Sequence, residues 1–511
     1  VTPISVGPFL LHTPLAAGGM GVVWQGAHAA TGIPVAVKAI TAARAREPRY
    51  QAAFRDEVRA VAGLAHPGIV LVYEHGRIGR DEQLASAAMS VEHTLVADSP
   101  YLVMELALGG TVEDAWDPTS GTWEELRGLL LQTLGGLAHA HARGVLHRDL
   151  KPRNVLAFGA PGEGPVAWKL ADFGLAGPRD AGPGLPAAGT PPYMAPEQFT
   201  GGRLGPPTDL YQLGCVAWEL ATGMPPHVAE GRDRRRDPAT PPRAYRSWAE
   251  AHLNAPIGPF LPRAPVAAGF EGWVRRMLAR RPGDRFAFAA DAAAALALLE
   301  QPAPSPIHLR EHPGPPPEGT PGGGTTLEAV PRAEILRSPV AEPDRRPPRP
   351  GATPTVQPQV PPTWRRADDG LGDTAVGLLR GAGLGLYGMR DVPLVGRTEE
   401  RDRIWEALLE VDQTARTRCL LLRGGAGAGK SRLSRWTAER AHELGAAGYT
   451  RLAHSSARGE GGVGQLLARH FGVVGVPTEA LLEPIERQIR EGPQPPPTPG
   501  RSRTAPGSAS T

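Results

Sequence analysis

Over residues 5 to about 300, short β-branched runs alternate with longer helical periodicities, as expected of a folded α+β unit. The segments "GPFLLHTPLAAGGMGVVWQGAH" and "IPVAVKAI" predict strands around a glycine turn. In "YQAAFRDEVRAVAGLAH" the apolar residues Phe54, Val58, Val61 and Ala65 recur at steps of four, three and four, which predicts a helix. "GIVLVYEHGRI" and "PYLVMEL" again predict strands. The stretch between them, Gly79 to Ser99, is long for a hairpin loop and reads as an insertion, for which a docking element and a loose loop both remain open. Beyond residue 120 the pattern turns mainly helical, and Thr122 with Glu125 predicts a capping box ahead of "LRGLLLQTLGGLAHAHARG".

From Gln301 to about Arg390 the periodicity gives way to proline and glycine. Too few apolar residues remain there to offset the entropy of ordering, so residues 301–390 read as a disordered linker, partly polyproline II. Periodic structure returns over residues 391–476, and residues 477–511 read as a disordered tail. Among 511 residues the formal charge is only +3, which gives no reason to expect a nucleic-acid partner. Cys215 and Cys419 are the only cysteines, too few for a disulfide framework or a cysteine zinc site. The N-terminus lacks the basic and apolar regions of a signal peptide, and no run reaches the ~20 apolar residues that span a bilayer. The nearest approach, "AVGLLRGAGLGLYG", is glycine-rich and broken by Arg380. A soluble, cytoplasmic chain without a membrane partner is the expectation.

The chain has 55 basic residues, of which four are lysines: Lys38, Lys151, Lys169 and Lys430. A compact ammonium on a flexible stem does what a planar guanidinium cannot, so each surviving lysine is a candidate for chemistry. In "LAAGGMGVV", Gly18 and Gly21 let backbone amides approach phosphate oxygens, and Lys38 follows on the next strand, within reach of the α and β phosphates. Glu57, on the inner flank of the predicted helix, could hold that lysine; at about 4 Å and an effective dielectric near 20 such a pair gains about 4 kcal/mol before desolvation. "HRDLKPRN" places Asp149, Lys151 and Asn154 in one eight-residue loop, and "ADFG" follows with Asp172. An aspartate that accepts a hydroxyl proton, with an asparagine and a second aspartate on Mg²⁺, is the division of labour that phosphoryl transfer requires.

Taken in order, the glycine loop, "VAVK", Glu57, "YLVMEL", "HRDLKPRN", "DFG", "GTPPYMAPE", "DLYQLG" and Arg285 in "RPGDRF" resemble the eukaryotic-type Ser/Thr protein kinases of bacteria, from about Val6 to Leu299. The resemblance implies a two-lobed fold, with a β-rich N-lobe and a helical C-lobe over residues 5–300. It also implies transfer of the ATP γ-phosphate to protein substrates, with ATP and Mg²⁺ bound between the lobes. Asp149 becomes the catalytic base, with Lys151, Lys38 and Glu57 completing the catalytic set. Leu15, Gly18, Gly21, Val23, Ala36, Lys38, Glu105 and Leu106 form the ATP site. Asn154 and Asp172 hold metal, and Thr190 lines the substrate pocket. Glu197 pairs with Arg285, and Asp209 anchors the catalytic loop. Lys151 so close after Asp149 resembles the Ser/Thr-directed version. Lys169 has no assignable role and reads as a solvated strand lysine.

The chain departs from the family pattern at two places. Ala16 stands where the loop's first glycine is expected, a tolerable change while Gly18 and Gly21 remain. The segment from Phe173 to Gly189 contains no Ser, Thr or Tyr, so Arg148 has no phosphorylatable partner upstream of Thr190. Either Asp180 serves as a fixed anion or the rest of the chain acts as the switch.

A second nucleotide signature lies in "LLLRGGAGAGKSRL". Cys419–Leu422 predicts a strand, and Gly424, Gly429, Lys430 and Ser431 complete G-x-x-x-x-G-K-S, a loop that cradles phosphates. "LVGR", Leu394 to Arg397, resembles the entry to AAA-like and signal-transducing ATPase domains. No apolar strand ending in aspartate follows Ser431, so a partial α/β P-loop domain that binds without hydrolysing is the expectation for residues 391–476. A nucleotide-binding scaffold without phosphotransfer stays open as an alternative. So does partner docking on the linker or C-terminal region, where Ser338, Thr353 and Thr355 are candidate modification sites.

Overall fold

The computed structural model describes residues 3–18, 21–40, 58, 61–89, 95–159, 166–173, 189–227, 245–300, 360–365, 379, 382–386, 394–414 and 416–447. The N-terminal lobe is an antiparallel sheet of β1 (Ile4–Val6), β2 (Phe9–Gly18), β3 (Gly21–His28), β4 (Pro34–Ile40), β5 (Val72–Arg77) and β6 (Pro100–Glu105), in the order β1-β2-β3-β4-β6-β5. β4 is central and Val35 to Ala39 are buried, so its side chains meet protein on both faces. Ile4, Val6, Phe9, Leu11 and Trp24 close the outer face into a core of its own. The insertion is in part a helix, α1 (Arg80–Met89), whose Ser86 Oγ accepts the Leu95 amide at 2.8 Å.

A short helix, α2 (Val112–Ala115), leads into the helical lobe and α3 (Trp123–Ala142). The predicted capping box is present there. The Glu125 amide donates to Thr122 Oγ1 at 3.2 Å, and the Thr122 amide donates to Glu125 Oε2 at 2.9 Å. A hairpin of β7 (Val155–Phe158) and β8 (Ala167–Leu170) follows, then α4 (Pro196–Thr200) and α5 (Pro206–Thr222). Proline opens α5, and left-handed Gly223 (φ 83°) closes it. From Thr208 to Thr222 every residue of α5 is buried, because the other helices of the lobe pack around it. α6 (Tyr245–Leu253), α7 (Phe270–Met277) and α8 (Ala289–Ala297) complete the lobe. The lobes join at the backbone: Ile69 bridges Leu170 in parallel, and Gly68 leaves no room for a Cβ against the Gln132 carbonyl.

Two segments read as linker are packed instead. Val360, Trp364, Leu379 and Leu386 are buried, because other parts of the chain supply the apolar partners that the proline-rich stretch lacks. Further on, α9 (Thr398–Thr414) and α10 (Lys430–Glu443) are helical. Cys419–Leu422, expected as a strand, pairs with no strand among the described residues. Leu420 and Leu421 are exposed, since no neighbouring strand covers them.

No helix among the described residues is long and apolar enough to cross a membrane.

Candidate active site

Lys38 reaches the cleft because β4 sets it opposite Val23 on one side and Leu102 on the other. It is buried, and its Nζ donates to Asp172 Oδ1 at 2.7 Å across a sequence separation of 134 residues. Asp172 sits just beyond β8 with φ 58°, a left-handed backbone that aspartate tolerates better than most residues. Burial alone would raise its carboxyl pKa, yet the Lys38 ammonium holds it below the usual carboxylate range. Glu57, the expected partner of Lys38, lies outside the described residues, as do Gly19 and Met20 at the tip of the glycine turn. Gly18 and Gly21 pair with each other at its base, and Ala16 pairs with Val23.

The loop bearing Asp149, Lys151 and Asn154 is held from beneath. Asp209 accepts the amides of His147 and Arg148, each at 2.8 Å, and accepts His141 Nε2 at 2.8 Å. Burial would raise Asp209, but the His141 hydrogen bond and charge hold it low, so it stays an acceptor. Gln212 accepts the Leu150 amide at 3.0 Å and donates to the Arg148 carbonyl at 2.7 Å. His147, fully buried, donates from Nε2 to the Ala171 carbonyl at 2.9 Å, which ties the loop to the residue preceding Asp172. Burial lowers the His147 pKa despite the nearby carboxylates, so it acts there as a neutral strut.

On that base Asp149, Lys151 and Thr190 form a closed triangle. Lys151 Nζ donates to Asp149 Oδ2 at 2.6 Å and to Thr190 Oγ1 at 2.9 Å. Thr190 donates its amide and its hydroxyl to Asp149 Oδ1, both at 2.8 Å. Asn154 donates Nδ2 to the Asp149 carbonyl at 2.8 Å, which leaves its carboxamide oxygen for a hard cation. That donor set, with the Asp172 carboxylate, fits Mg²⁺. Gly174 to Ala188, including Asp180, lie outside the described residues.

Of the residues expected to line the ATP site, Ala36 pairs with Met104, and Glu105 pairs with Val35. Ala36 is buried, Val23 and Leu106 pack half-buried against the main core, and Leu15 is exposed at the rim. Lys169 differs from its expected solvated state. Its Nζ donates to Glu105 Oε2 at 2.7 Å, and Glu105 Oε1 accepts the Leu71 amide at 2.6 Å, so this pair links β8 to the end of β6. Sequence reasoning missed it because neither residue marks its partner.

Glu197 and Arg285 pair as expected, in a fork with contacts of 2.7 and 2.9 Å, both residues buried. Arg285→Ala is therefore expected to destabilise the protein by about 3–5 kcal/mol in urea unfolding, because it strands a buried carboxylate. Arg285→Lys should recover only part of that loss, since it lacks the fork.

In the second signature, Lys430 Nζ donates to the carbonyls of Gly424 at 2.8 Å and Gly425 at 2.7 Å. Gly427 and Gly429 are left-handed (φ 75° and 82°), and α10 starts directly after the loop, with Ser431 exposed in its first turn.

The protein kinase domain family matches residues 10–290, more than half of the chain. The chain is 34% identical over 289 residues to the serine/threonine-protein kinase Pkn1 of Myxococcus xanthus, covering 56% of this chain and 37% of that protein. It is 33% identical to PknL of Mycobacterium tuberculosis, covering 60% of this chain and 70% of that one, and 31% identical to PknA of the same organism, covering 67% and 74%. Among solved structures it is similar to the Mycobacterium tuberculosis PknI kinase domain, at 23% identity and a TM-score of 0.40 over 58% of this chain and 97% of that one. This chain belongs to the protein kinase family, among the bacterial serine/threonine kinases.

Proposed function

We propose that residues 5–300 transfer the γ-phosphoryl group of ATP to serine or threonine hydroxyls of protein substrates, with Asp149 as base. The observation that carries this reading is the Asp149–Lys151–Thr190 triangle. The Thr190 hydroxyl donates to the Asp149 carboxylate, as an acceptor hydroxyl would in the same pocket. The acceptor oxygen attacks the γ-phosphorus, its proton passes to Asp149, and the bond to the β,γ-bridging oxygen breaks to release ADP. Lys151 neutralises charge on the moving phosphoryl group, and Lys38 holds the α and β phosphates. Asn154 and Asp172 would hold Mg²⁺, which would supply neutralising positive charge to the phosphates. Position and charge compensation supply the rate enhancement.

Incubation with γ-labelled ATP, Mg²⁺ and a general protein acceptor tests this. Acid-stable label on serine or threonine is expected; label on tyrosine alone, or none, would contradict the assignment.

The loop at Gly424–Ser431 is a second nucleotide site within a partial P-loop unit spanning residues 391–476. The Lys430 ammonium, folded onto the loop's own carbonyls, and the left-handed glycines support that reading. Lys430→Ala is expected to reduce the number of ATP molecules bound in equilibrium dialysis, while phosphotransfer by the kinase domain persists.

A further inference from the structure

Leu379 and residues 382–386, together with the far end of α10, lie against the kinase domain and touch both lobes. On the N-terminal lobe the contact is with β5, the edge strand of the sheet. Buried Glu74 accepts the Gly383 amide at 2.6 Å and the Gly385 amide at 2.7 Å. Gly385 lies so close that a Cβ there would stand 1.9 Å from the His75 carbonyl oxygen, and Gly383 has φ 91°. Leu386 is 1% exposed and joins the core that includes Val58 and Val61 of the predicted helix bearing Glu57. Leu379 is buried with Tyr73, Tyr101 and Val103.

On the helical lobe the contact is with α3. Buried Glu443 accepts His139 Nδ1 at 3.0 Å and lies 3.6 Å from the Arg143 guanidinium. Burial opposes ionisation of Glu443, but His139 and the arginines beside it hold the carboxyl far below its usual range, which fits a committed ion pair. The His442 ring meets Phe288 edge-on at 4.8 Å. The His139 ring in turn lies 5.1 Å from His66, on the loop where the two lobes join.

We propose that Leu379 and residues 382–386, docked on Glu74 in one lobe, and the end of α10, docked on His139 and Arg143 in the other, act as a built-in brace that holds the lobes in the geometry competent for phosphotransfer. The inference rests on the kinase reading above and names its regulation. Its occupant is this chain's own segment, seated on both lobes while the Lys38–Asp172 pair and the Asp149–Lys151–Thr190 triangle are made. It also gives a control element to a chain whose Phe173–Gly189 segment has no hydroxyl to phosphorylate. Undocking either end frees one lobe from the other and shifts the population away from the assembled site.

The test uses the full chain and two variants, one at each contact. Gly385→Val drives a side chain into the His75 carbonyl, and Glu443→Ala removes the carboxylate from His139 and Arg143. Hydrogen exchange is followed at the Gly383 and Gly385 amides and along α3, beside phosphotransfer and thermal unfolding. In the unmodified protein those amides should be protected. Each variant should raise exchange at its own contact and lower kcat by about 5- to 150-fold, at a temperature where thermal unfolding shows the kinase domain still folded. Glu443→Gln, which keeps an oxygen acceptor for His139, should lose less than Glu443→Ala. Unprotected amides in the unmodified protein would overturn the proposal, as would raised exchange with kcat unchanged or increased. Absence of phosphotransfer in the unmodified protein would instead fail the kinase reading, while exchange would still report docking.

Discussion

Asp149→Asn is expected to lower kcat by about 10²–10⁴-fold, the range that a positioned general base contributes, with the KM for ATP changed little. Asparagine keeps the shape of the side chain and can still accept the Thr190 hydroxyl, but it cannot take up the acceptor proton. It also removes the charge that holds Lys151 at 2.6 Å. Because the Asp149 carbonyl, not its carboxylate, anchors Asn154, the metal-side geometry should survive. Steady-state kinetics with a protein acceptor separates the outcomes. A fall in kcat at constant KM assigns the proton-accepting role, whereas a rise in KM alone would make Asp149 a binding residue.

Lys38→Met is the second large effect. Removing one preorganised charge from a site of this kind costs about 10²–10³-fold in kcat, and here the lysine also sets the charge state of Asp172. With Lys38 present, Asp172 stays ionised below the usual carboxylate range although burial opposes it. The pair's contribution to stability is therefore complete above the ordinary carboxylate pKa and is lost as pH falls through the lower folded-state value. Without Lys38, burial is opposed only by the nearby His147 and Lys151, and the Asp172 pKa rises. The acid limb of the pH–rate profile should move to higher pH in the variant. An acid limb that stays in place while activity falls would show that Lys38 acts on phosphate alone.

Most of the catalytic loop could be read from the sequence because its chemistry is local: Asp149, Lys151 and Asn154 lie within one short stretch whose spacing alone brings them together. That Lys38 and Asp172 share a site could be read only through the order of motifs, and their direct contact was not read at all, since no local pattern reports a partner 134 residues away. The capping box at Thr122 and Glu125 was legible for the same local reason. Other contacts were not. Lys169 finds Glu105, and Glu443 finds His139, through folding of distant segments, and a lone charge carries no mark of its partner. Residues 379–386 looked like linker because proline and glycine dominate their surroundings, while the glycines that lowered the apolar count are what allow Gly385 to lie against His75. Cys419–Leu422 has strand composition, but composition cannot supply a neighbouring strand. α1 carries too few apolar residues to announce itself, and its order comes from Ser86 and Gln83 fastening the return of the chain at Leu95 and Ala97.

The account rests on residues scattered through the chain converging on one triphosphate. A crystal structure with Mg²⁺ and a non-hydrolysable ATP analogue tests this most directly. It should place the α and β phosphates on Lys38, the metal between Asn154 and Asp172, and the γ-phosphate facing Asp149 and Lys151. A nucleotide seen only at Gly424–Ser431, with the interlobe cleft empty at saturating ligand, would contradict it.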